Sequence, residues 1–343
     1  MQATNRRTFI KYLAMLGVGG GTLLRTGDAW GAVYAAKEAV GEETTWPAMT
    51  YRTLGRTGFE ASRLVFGCGA ALSRRANDTL LGAARDAGIN VFDVGWSGYY
   101  NDAERHLAAF AKKHRDDIFL ISKAVAPLDV APNVEVTAAQ ARTAASAWLE
   151  RLDGSLRDLG VDHVDAYYVM GADNPSLIRS DEIHAAFEQA KQAGKTRHLG
   201  VSTHRNAEAV LGAATESGHY SLAMIAITPA GWYDWESKGL LTGSKPMTGL
   251  QPILATAHEA EIGLVGMKAG RYLAGRRFLG RGRPDAFDEH YDPTLLASGL
   301  SAFQRSYAYV LAHGLDVVNA DMQTFAHLHE NVVAAATSAK YFA

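Results

Sequence analysis

Side chains that together could move a proton lie between residues 93 and 123. Asp93 and Lys123 each follow a run of apolar residues, and the pair Tyr99-Tyr100 lies between them. An ammonium group stabilises a nearby phenolate, and a carboxylate holds that lysine charged and in place. Reduction of a carbonyl by a nicotinamide cofactor needs such a proton donor. The alternative is structural, because strand-end aspartates often cap helices and loop tyrosines often only pack.

The elements that must position these side chains alternate along the chain from Tyr51 onward. Apolar β-type runs alternate with longer amphipathic stretches, which is typical of a parallel sheet wrapped by helices. The strand candidates lie at 63–66, 90–93, 118–123, 163–169, 197–202, 223–227, 263–268 and 317–319. Between them a helix is predicted over 138–159, with one apolar stripe formed by Ala145, Leu149, Leu152, Leu156 and Leu159.

Eight strand-helix units that close on themselves predict an α/β fold, the (β/α)8 or TIM barrel. Asp93 and Lys123 then lie at C-terminal strand ends, on the face where the active sites of such barrels gather. An open doubly wound sheet is the alternative. Its usual sign is missing, because Gly67-Cys68-Gly69 is followed by Ala70-Ala71-Leu72 rather than by the rest of a G-x-G-x-x-G turn.

Composition excludes several classes of function. The chain has 343 residues, 48% hydrophobic and 20% charged, which is enough for one large core. A net charge of −2 gives no basic surplus to neutralise phosphates, so we expect no nucleic-acid partner. Cys68 is the only cysteine, which excludes an intramolecular disulfide and a thiolate metal cluster.

The first residues are typical of a targeting segment. Arg6-Arg7, followed by Phe9 and Lys11, precedes a weakly apolar, glycine-rich run, and this resembles a twin-arginine signal. The run is shorter than the roughly 20 residues that a spanning helix needs, so we expect no stable membrane insertion. The predicted organisation is a signal peptide at 1–35, a linker at 36–48 and a barrel at 49–343. Export through the twin-arginine machinery predicts a periplasmic protein.

The amino-acid sequences of several segments resemble those of the aldo-keto reductase family. The segment 51–58 is similar to the N-terminal β-hairpin of that family, and 88–93 to its second strand. The segments 155–162 and 194–202 resemble the helix before its fourth strand and its fifth strand, and Glu330-Asn331 sits where its last barrel helix begins. The resemblance implies an NADP- or NAD-dependent oxidoreductase acting on a small carbonyl, alcohol or sugar.

The family pattern selects site residues. Alignment of 99–104 with the family's Tyr-Gly-x-Ser-Glu favours Tyr100 over Tyr99 as the proton donor, with Lys123 lowering its pKa and Asp93 fixing the lysine. The spacing from Asp93 to Tyr100 is two residues longer than the family's. Met170 occupies the place of the family's catalytic histidine, and a thioether donates no hydrogen bond. His204 is a candidate substitute.

The predicted cofactor contacts are only partly of the family type. They are Gly67, Ser202, Thr203, Lys268, Glu330 and Asn331. Thr203 lacks the amide of the family's Ser-Asn pair, and Trp232 or Tyr233 is the candidate for an aromatic face. The stretch from Asn319 to Met322 stands where the family has a phosphate loop, and an inward Asp321 would repel a ribose 2′-phosphate.

Three functions compete. The first is the oxidoreductase just described, which we expect to bind its nicotinamide cofactor tightly before export. The second is a barrel that binds a nucleotide or another small ligand without turnover, as a sensor or accessory subunit, motivated by Met170. The third is a metal-dependent hydrolase, for which no H-x-H or H-E-x-x-H pattern lies at a strand end; His327-Leu328-His329 is expected at a helix start.

Overall fold

A computed structural model describes residues 46–274 and 282–341 of the protein, and a closed parallel barrel is its centre. The chain enters through a hairpin formed by β1 (Tyr51–Thr53) and β2 (Glu60–Ser62). The barrel strands are β3 (Leu64–Gly67), β4 (Val91–Asp93), β5 (Phe119–Ala124), β6 (Val164–Val169), β7 (Thr196–Thr203), β8 (Leu222–Thr228), β11 (Gly263–Met267) and β12 (Val317–Asp321). Pairing of β7 with β8 closes the circle. The predicted (β/α)8 barrel with an N-terminal hairpin is confirmed.

The helices lie outside the barrel strands. They are α1 (Cys68–Leu72), α2 (Asp78–Asp86), α3 (Ser97–Tyr100), α4 (Ala103–Lys113), α5 (Ala138–Leu159), α6 (Pro175–Ile178), α7 (Asp181–Gln192), α8 (Ala207–Ser217), α9 (Gln251–Glu259), α10 (Pro293–Leu296), α11 (Ala302–Ala312) and α12 (Phe325–Thr337). The predicted helix over 138–159 is confirmed. It begins with a capping box between Thr137 and Gln140, and Gly160 ends it in the left-handed region.

Two apolar cores hold the barrel together. The larger lies between strands and helices and includes Trp148, whose indole N–H donates to the Tyr168 carbonyl at 3.1 Å. The smaller fills the barrel, where Phe59 of the entry hairpin packs against Phe119 at 5.0 Å between ring centroids. The hairpin therefore covers the amino-terminal end of the barrel and leaves the carboxyl-terminal end for the site.

The connection from β8 to α9 contains two further strands. The segment after β8 forms a second hairpin from β9 (Gly231–Asp234) and β10 (Gly239–Leu240), which continues antiparallel from β8. Trp232 and Tyr233, the candidates for an aromatic face, are buried at 2% exposure each. The indole of Trp232 donates to Glu208 at 3.1 Å. That prediction is wrong, because both rings are packing residues of the hairpin.

The predicted signal peptide, 1–35, lies outside the described residues, as does most of the linker, 36–48. No helix in the described ranges combines the length and apolarity that crossing a membrane would take.

Candidate active site

A buried ion pair stands at the carboxyl ends of β4 and β5. Lys123 Nζ donates to both carboxylate oxygens of Asp93 and to the carbonyl oxygen of Val94, each at 2.6 Å. Asp93 and Lys123 are 4% and 3% exposed. An ammonium group has three donors, so every N–H of Lys123 is engaged. Burial raises the pKa of Asp93, while Lys123 acts in the opposite direction.

Tyr100 ends α3 and lies beside this pair, with Lys123 Nζ 5.5 Å from its ring centroid. Two glycines leave room for its ring. A Cβ on Gly69 would overlap the Tyr100 ring, and one on Gly95 would lie 3.0 Å from it. Tyr99 packs edge-on against Tyr100 but is 51% exposed. The longer spacing from Asp93 therefore still brings Tyr100 to the pair.

The Tyr100 hydroxyl holds its proton firmly. Burial raises the pKa of Tyr100 well above its ordinary value, and Asp93 and Asp321 act in the same direction. We expected Lys123 to lower this pKa, and the outcome is opposite because Asp93 offsets the lysine charge and the ring is withdrawn from water. Tyr100 is thus a neutral phenol at neutral pH, as a proton donor must be.

Asn319 completes the surroundings of the carboxylate. Its Nδ2 donates to Asp93 Oδ2 at 2.6 Å and contacts Met224 Sδ at 3.7 Å. The prediction that residues 319–322 form a phosphate loop is wrong at its first residues, because Asn319 and Asp321 belong to β12. Gly67 on the adjacent strand makes this possible, since a Cβ there would lie 2.6 Å from Asn319 Oδ1.

A cavity of about 400 Å³ opens over these groups at the carboxyl ends of the strands. Met170, directly after β6, lines it where the family has a histidine, and Met224 and Met267 line it as well. His204, following β7, also reaches it. Burial, together with Lys268 and Lys123, lowers the pKa of His204 to about 3, so its imidazole is neutral and donates one N–H.

Trp235, at the tip of the β9–β10 hairpin, supplies the aromatic wall that we had assigned to its neighbours. The His204 ring lies 5.4 Å from it, tilted by 32°. The ammonium groups of Lys238 and Lys268 lie 3.3 Å and 4.8 Å from its ring centroid. The site therefore faces a ring surrounded by basic groups.

The predicted cofactor residues separate into two groups. Gly67, Ser202 and Lys268 line the cavity, and Ser202 Oγ accepts from the Gly171 N–H at 3.4 Å. Burial lowers the pKa of Lys268, and in the described ranges it forms no ion pair with an acid. A buried ammonium group of this kind fits a phosphate oxygen of a nucleotide.

Thr203, Glu330 and Asn331 lie outside the cavity lining. The Thr203 hydroxyl donates to the Arg205 carbonyl, and Glu330 accepts from the Ser301 hydroxyl at 2.5 Å. We predicted that Glu330-Asn331 begins the last barrel helix. That is wrong, because α12 begins at Phe325 and the pair lies in its middle. In the described ranges no group of three histidine, cysteine or acidic side chains is arranged to hold a metal ion.

Comparison with known proteins agrees with this geometry. Residues 64–229, which contain Asp93, Tyr100, Lys123 and Met170, match the model of the aldo/keto reductase family. That segment is therefore similar to an aldo/keto reductase domain. The chain is also similar to YrpG of Bacillus subtilis, described as an uncharacterized oxidoreductase, at 30% identity over 199 residues. That match covers 51% of this chain and 59% of YrpG.

Solved structures show a similar fold. The holo form of an aldo-keto reductase from Bacillus halodurans is 23% identical, with a TM-score of 0.59 and coverage of 86% of this chain and 95% of that one. An aldo-keto reductase from Klebsiella pneumoniae in complex with NADPH is 19% identical, with a TM-score of 0.58 and coverage of 84% and 90%. At these identities the likeness is one of fold.

Proposed function

We propose that this chain is an exported oxidoreductase that transfers a hydride between a nicotinamide cofactor and a small carbonyl, alcohol or sugar. The observation that carries the proposal is the Tyr100 phenol, placed between Gly69 and Gly95 beside the buried Asp93–Lys123 pair. The Tyr100 phenol is neutral at neutral pH and can therefore act as the acid in carbonyl reduction, although its raised pKa makes it a weaker acid than a free tyrosine.

The residues of the chain divide the work of such a reduction. A bound nicotinamide would supply the hydride. Tyr100 would donate its hydroxyl proton to the oxygen that becomes an alcohol, and Lys123 would offset the charge of the resulting phenolate. Asp93 holds Lys123 in place, and Asn319 donates to Asp93. His204 would donate to the substrate oxygen in place of the histidine that Met170 replaces.

NADP is the first candidate for the cofactor, with NAD as the alternative. The structurally similar Klebsiella protein is a complex with NADPH. Ser202 would hold the nicotinamide amide, Lys268 a pyrophosphate oxygen, and Gly67 would let the cofactor approach β3. Asp321 also lines the cavity, and a carboxylate there works against a 2′-phosphate. Reduction rates with NADPH and NADH over one carbonyl panel decide between the two.

Tyr100→Phe tests the proposed chemistry with Tyr99→Phe as its matched control. We expect Tyr100→Phe to lower the kcat of carbonyl reduction by about 10² to 10⁴, the usual contribution of a general acid. Tyr99→Phe changes an exposed neighbour of the same type and should stay within about threefold, as a packing change does. Equal rates for the two variants would remove Tyr100 from the mechanism.

A binding barrel without turnover is the second candidate, and Met170 is the observation that favours it. A thioether donates no hydrogen bond to a carbonyl, and the raised pKa of Tyr100 makes its phenol a weaker proton donor, which favours binding without turnover. Tight nucleotide binding with no reduction of any aldehyde, ketone or sugar would support this candidate.

Export is part of the proposal, and the sequence Arg6-Arg7 with Phe9 and Lys11 supports it. We expect the double change Arg6→Lys and Arg7→Lys to keep the protein in the cytoplasm, measured by cell fractionation. Arg25→Lys, in the same leader, is the matched control and should leave export intact. Protein purified from the periplasm should release a nicotinamide nucleotide on denaturation, as mass spectrometry would detect; absence of nucleotide argues against loading before export.

A further inference from the structure

A second cavity, of about 810 Å³, lies at the amino-terminal end of the barrel, opposite the Tyr100 site. Its walls come from the starts of β6 and β7, from α7 and from the turn after α8. Four histidines line it: His163, His184, His198 and His219. The whole chain has 12 histidines, so a third of them converge on this one place.

Two of these rings are stacked. His184 of α7 and His219 lie with ring centroids 3.4 Å apart and planes 10° from parallel. Rings that lie face to face direct their nitrogens along parallel planes rather than towards one point. This arrangement does not suit a chelated metal ion, whose ligands must converge. The two stacked imidazole rings can instead take up a proton.

Three cations line the same cavity, and acids compensate them only in part. Arg56 donates to the carbonyl oxygens of Gly218, at 2.7 Å, and of Ala260, which are neutral acceptors. Lys191 lies 4.0 Å from Glu188, the acidic residue in the lining.

Arg197, the third cation, pairs with a carboxylate that also binds a second arginine. Asp165 accepts from Arg197 at 3.1 Å and from Arg115 at 2.7 Å, so two cations meet one acid. The cavity therefore carries a surplus of positive charge before any histidine is protonated.

Burial and nearby cations lower the pKa of three of these histidines. Burial lowers the pKa of His163, helped by Arg115 and Arg197 and opposed by Asp165 and Asp162. Burial also lowers the pKa of His198, with Lys191 and Arg197 on the same side and Asp165 against them.

His219, one ring of the stacked pair, also has a lowered pKa. Burial, His184 and Arg56 lower the pKa of His219, while Asp181 and Glu188 act in the opposite direction. His184 Nε2 itself lies 3.7 Å from Glu188. A bound anion would cancel the repulsion that these cations exert on the imidazoles.

We propose that this cavity binds a doubly charged oxyanion, such as sulfate or a phosphate group, together with protons taken up by its histidines. Guanidinium and imidazolium groups donate charge-assisted hydrogen bonds to such oxygens. Linkage is reciprocal, so an anion that favours the protonated histidines binds more tightly when they are protonated. Affinity should therefore rise as the pH falls through about 6.5, the ordinary pKa of histidine. The proposal does not depend on the chemistry at Tyr100.

Sulfate is the probe of choice because it stays doubly charged, so any pH dependence reports on protons of the protein. Titration of the full chain, followed by NMR of the histidine rings, should give binding about tenfold or more tighter near pH 5.5 than near pH 8. Chloride at equal ionic strength controls for screening. The rings of His163, His184, His198 and His219 should shift with sulfate and not with chloride.

Variants locate the site. We expect His219→Gln to remove most of the pH dependence and Lys191→Gln, on an exposed face of α7, to weaken binding at both pH values. His114→Gln is the matched control, because His114 also lies beside an arginine, 2.9 Å from Arg85, but outside the cavity. Equal sulfate affinity at the two pH values, or unchanged binding in His219→Gln and Lys191→Gln, would overturn the proposal. Zinc binding without sulfate binding would also overturn it.

Discussion

Lys123 donates no hydrogen bond to Tyr100. All three of its donors are engaged by Asp93 and Val94, and the ammonium nitrogen lies 5.5 Å from the Tyr100 ring centroid. In the proposed reduction, Tyr100 passes its proton to the substrate oxygen. Because Lys123 is positioned by Asp93, a residue that positions Asp93 also positions Lys123. Asn319 is such a residue, since its amide donates to Asp93.

Asn319→Leu removes the second donor to Asp93. Because a buried acceptor loses a partner, we expect the free energy of unfolding to fall by about 1–3 kcal/mol and carbonyl reduction to slow. Urea unfolding and steady-state kinetics measure the two effects. Asn319→Asp keeps the shape but places a second carboxylate beside Asp93, so it should cost more than Asn319→Leu. If Asn319→Asp lowered the free energy of unfolding less than Asn319→Leu does, the shape of the side chain and not its donated hydrogen bond would be what matters.

His204→Gln tests the substitute for the missing histidine. We expect kcat to fall by about 10², as when one donor to a developing oxyanion is lost, while KM changes little. The pH profile between about 5 and 8 should keep its shape, because the pKa of His204, about 3, leaves the ring neutral there. The double variant His204→Gln and Met170→His should recover activity. If His204→Gln matches the parent protein, the ring only packs against Trp235.

The sequence predicted that Asp93 and Lys123 lie at the ends of barrel strands, and it did not reveal the site residues that are placed by tertiary structure. Asp93 and Lys123 could be located because each is the last or next-to-last residue of a short apolar strand. Asn319 lies 226 residues from its partner, and no local pattern reveals that pairing. Trp235 was missed because the hairpin turn decides which of its neighbouring aromatic residues faces the cavity.

At the scale of elements, α1 and the segment after β4 fix the position of the Tyr100 ring. Gly69 lies inside α1, and a methyl group there would overlap the ring. We expect Gly69→Ala to reduce kcat about 10²-fold, because a displacement of about 1 Å has that effect on a positioned group. Circular dichroism should show an unchanged fold.

Gly82→Ala is the matched control for that change. Gly82 lies in α2, and a Cβ there meets nothing within 4 Å. The substitution should raise the free energy of unfolding by about 0.5–1 kcal/mol, because alanine favours a helix, and should leave kcat unchanged. Loss of activity in Gly82→Ala would mean that the Gly69 effect does not arise at the Tyr100 ring.

Strands and the longest helix could be predicted closely because their patterns are periodic and their burial is uniform. The predicted strand over 163–169 and the observed β6 differ by one residue, and α5 matches its prediction at both ends. The β9–β10 hairpin could not be predicted, since its strands are four and two residues long and carry no repeated pattern. Short elements depend on what they pack against.

The whole molecule has a cavity at each end of the barrel, and the histidines of the amino-terminal one link its stability to pH. His163, His198 and His219 have folded-state pKa values below the ordinary value near 6.5. The unfolded chain then binds more protons below that pH, so stability is fully present above about 6.5 and is lost as the pH falls.

Urea unfolding at pH values on either side of about 6.5 checks this expectation. The free energy of unfolding should fall towards low pH, and His219→Gln should reduce the fall. His327→Gln, at an exposed position on α12, is the control and should follow the parent protein. A His219→Gln curve parallel to that of the parent protein would contradict the assignment.

The β9–β10 hairpin pairs with one barrel strand, β8, and Trp235 at its tip forms the aromatic wall of the site. Asp93, Lys123 and Tyr100 belong to other elements, so in the proposed function the hairpin that lines the substrate cavity is separate from the residues that would transfer the proton. Residues 231–240 are therefore a segment that can be exchanged as a unit. Exchanging them between related barrels should redirect which compounds are accepted while the proton-transfer machinery is inherited unchanged.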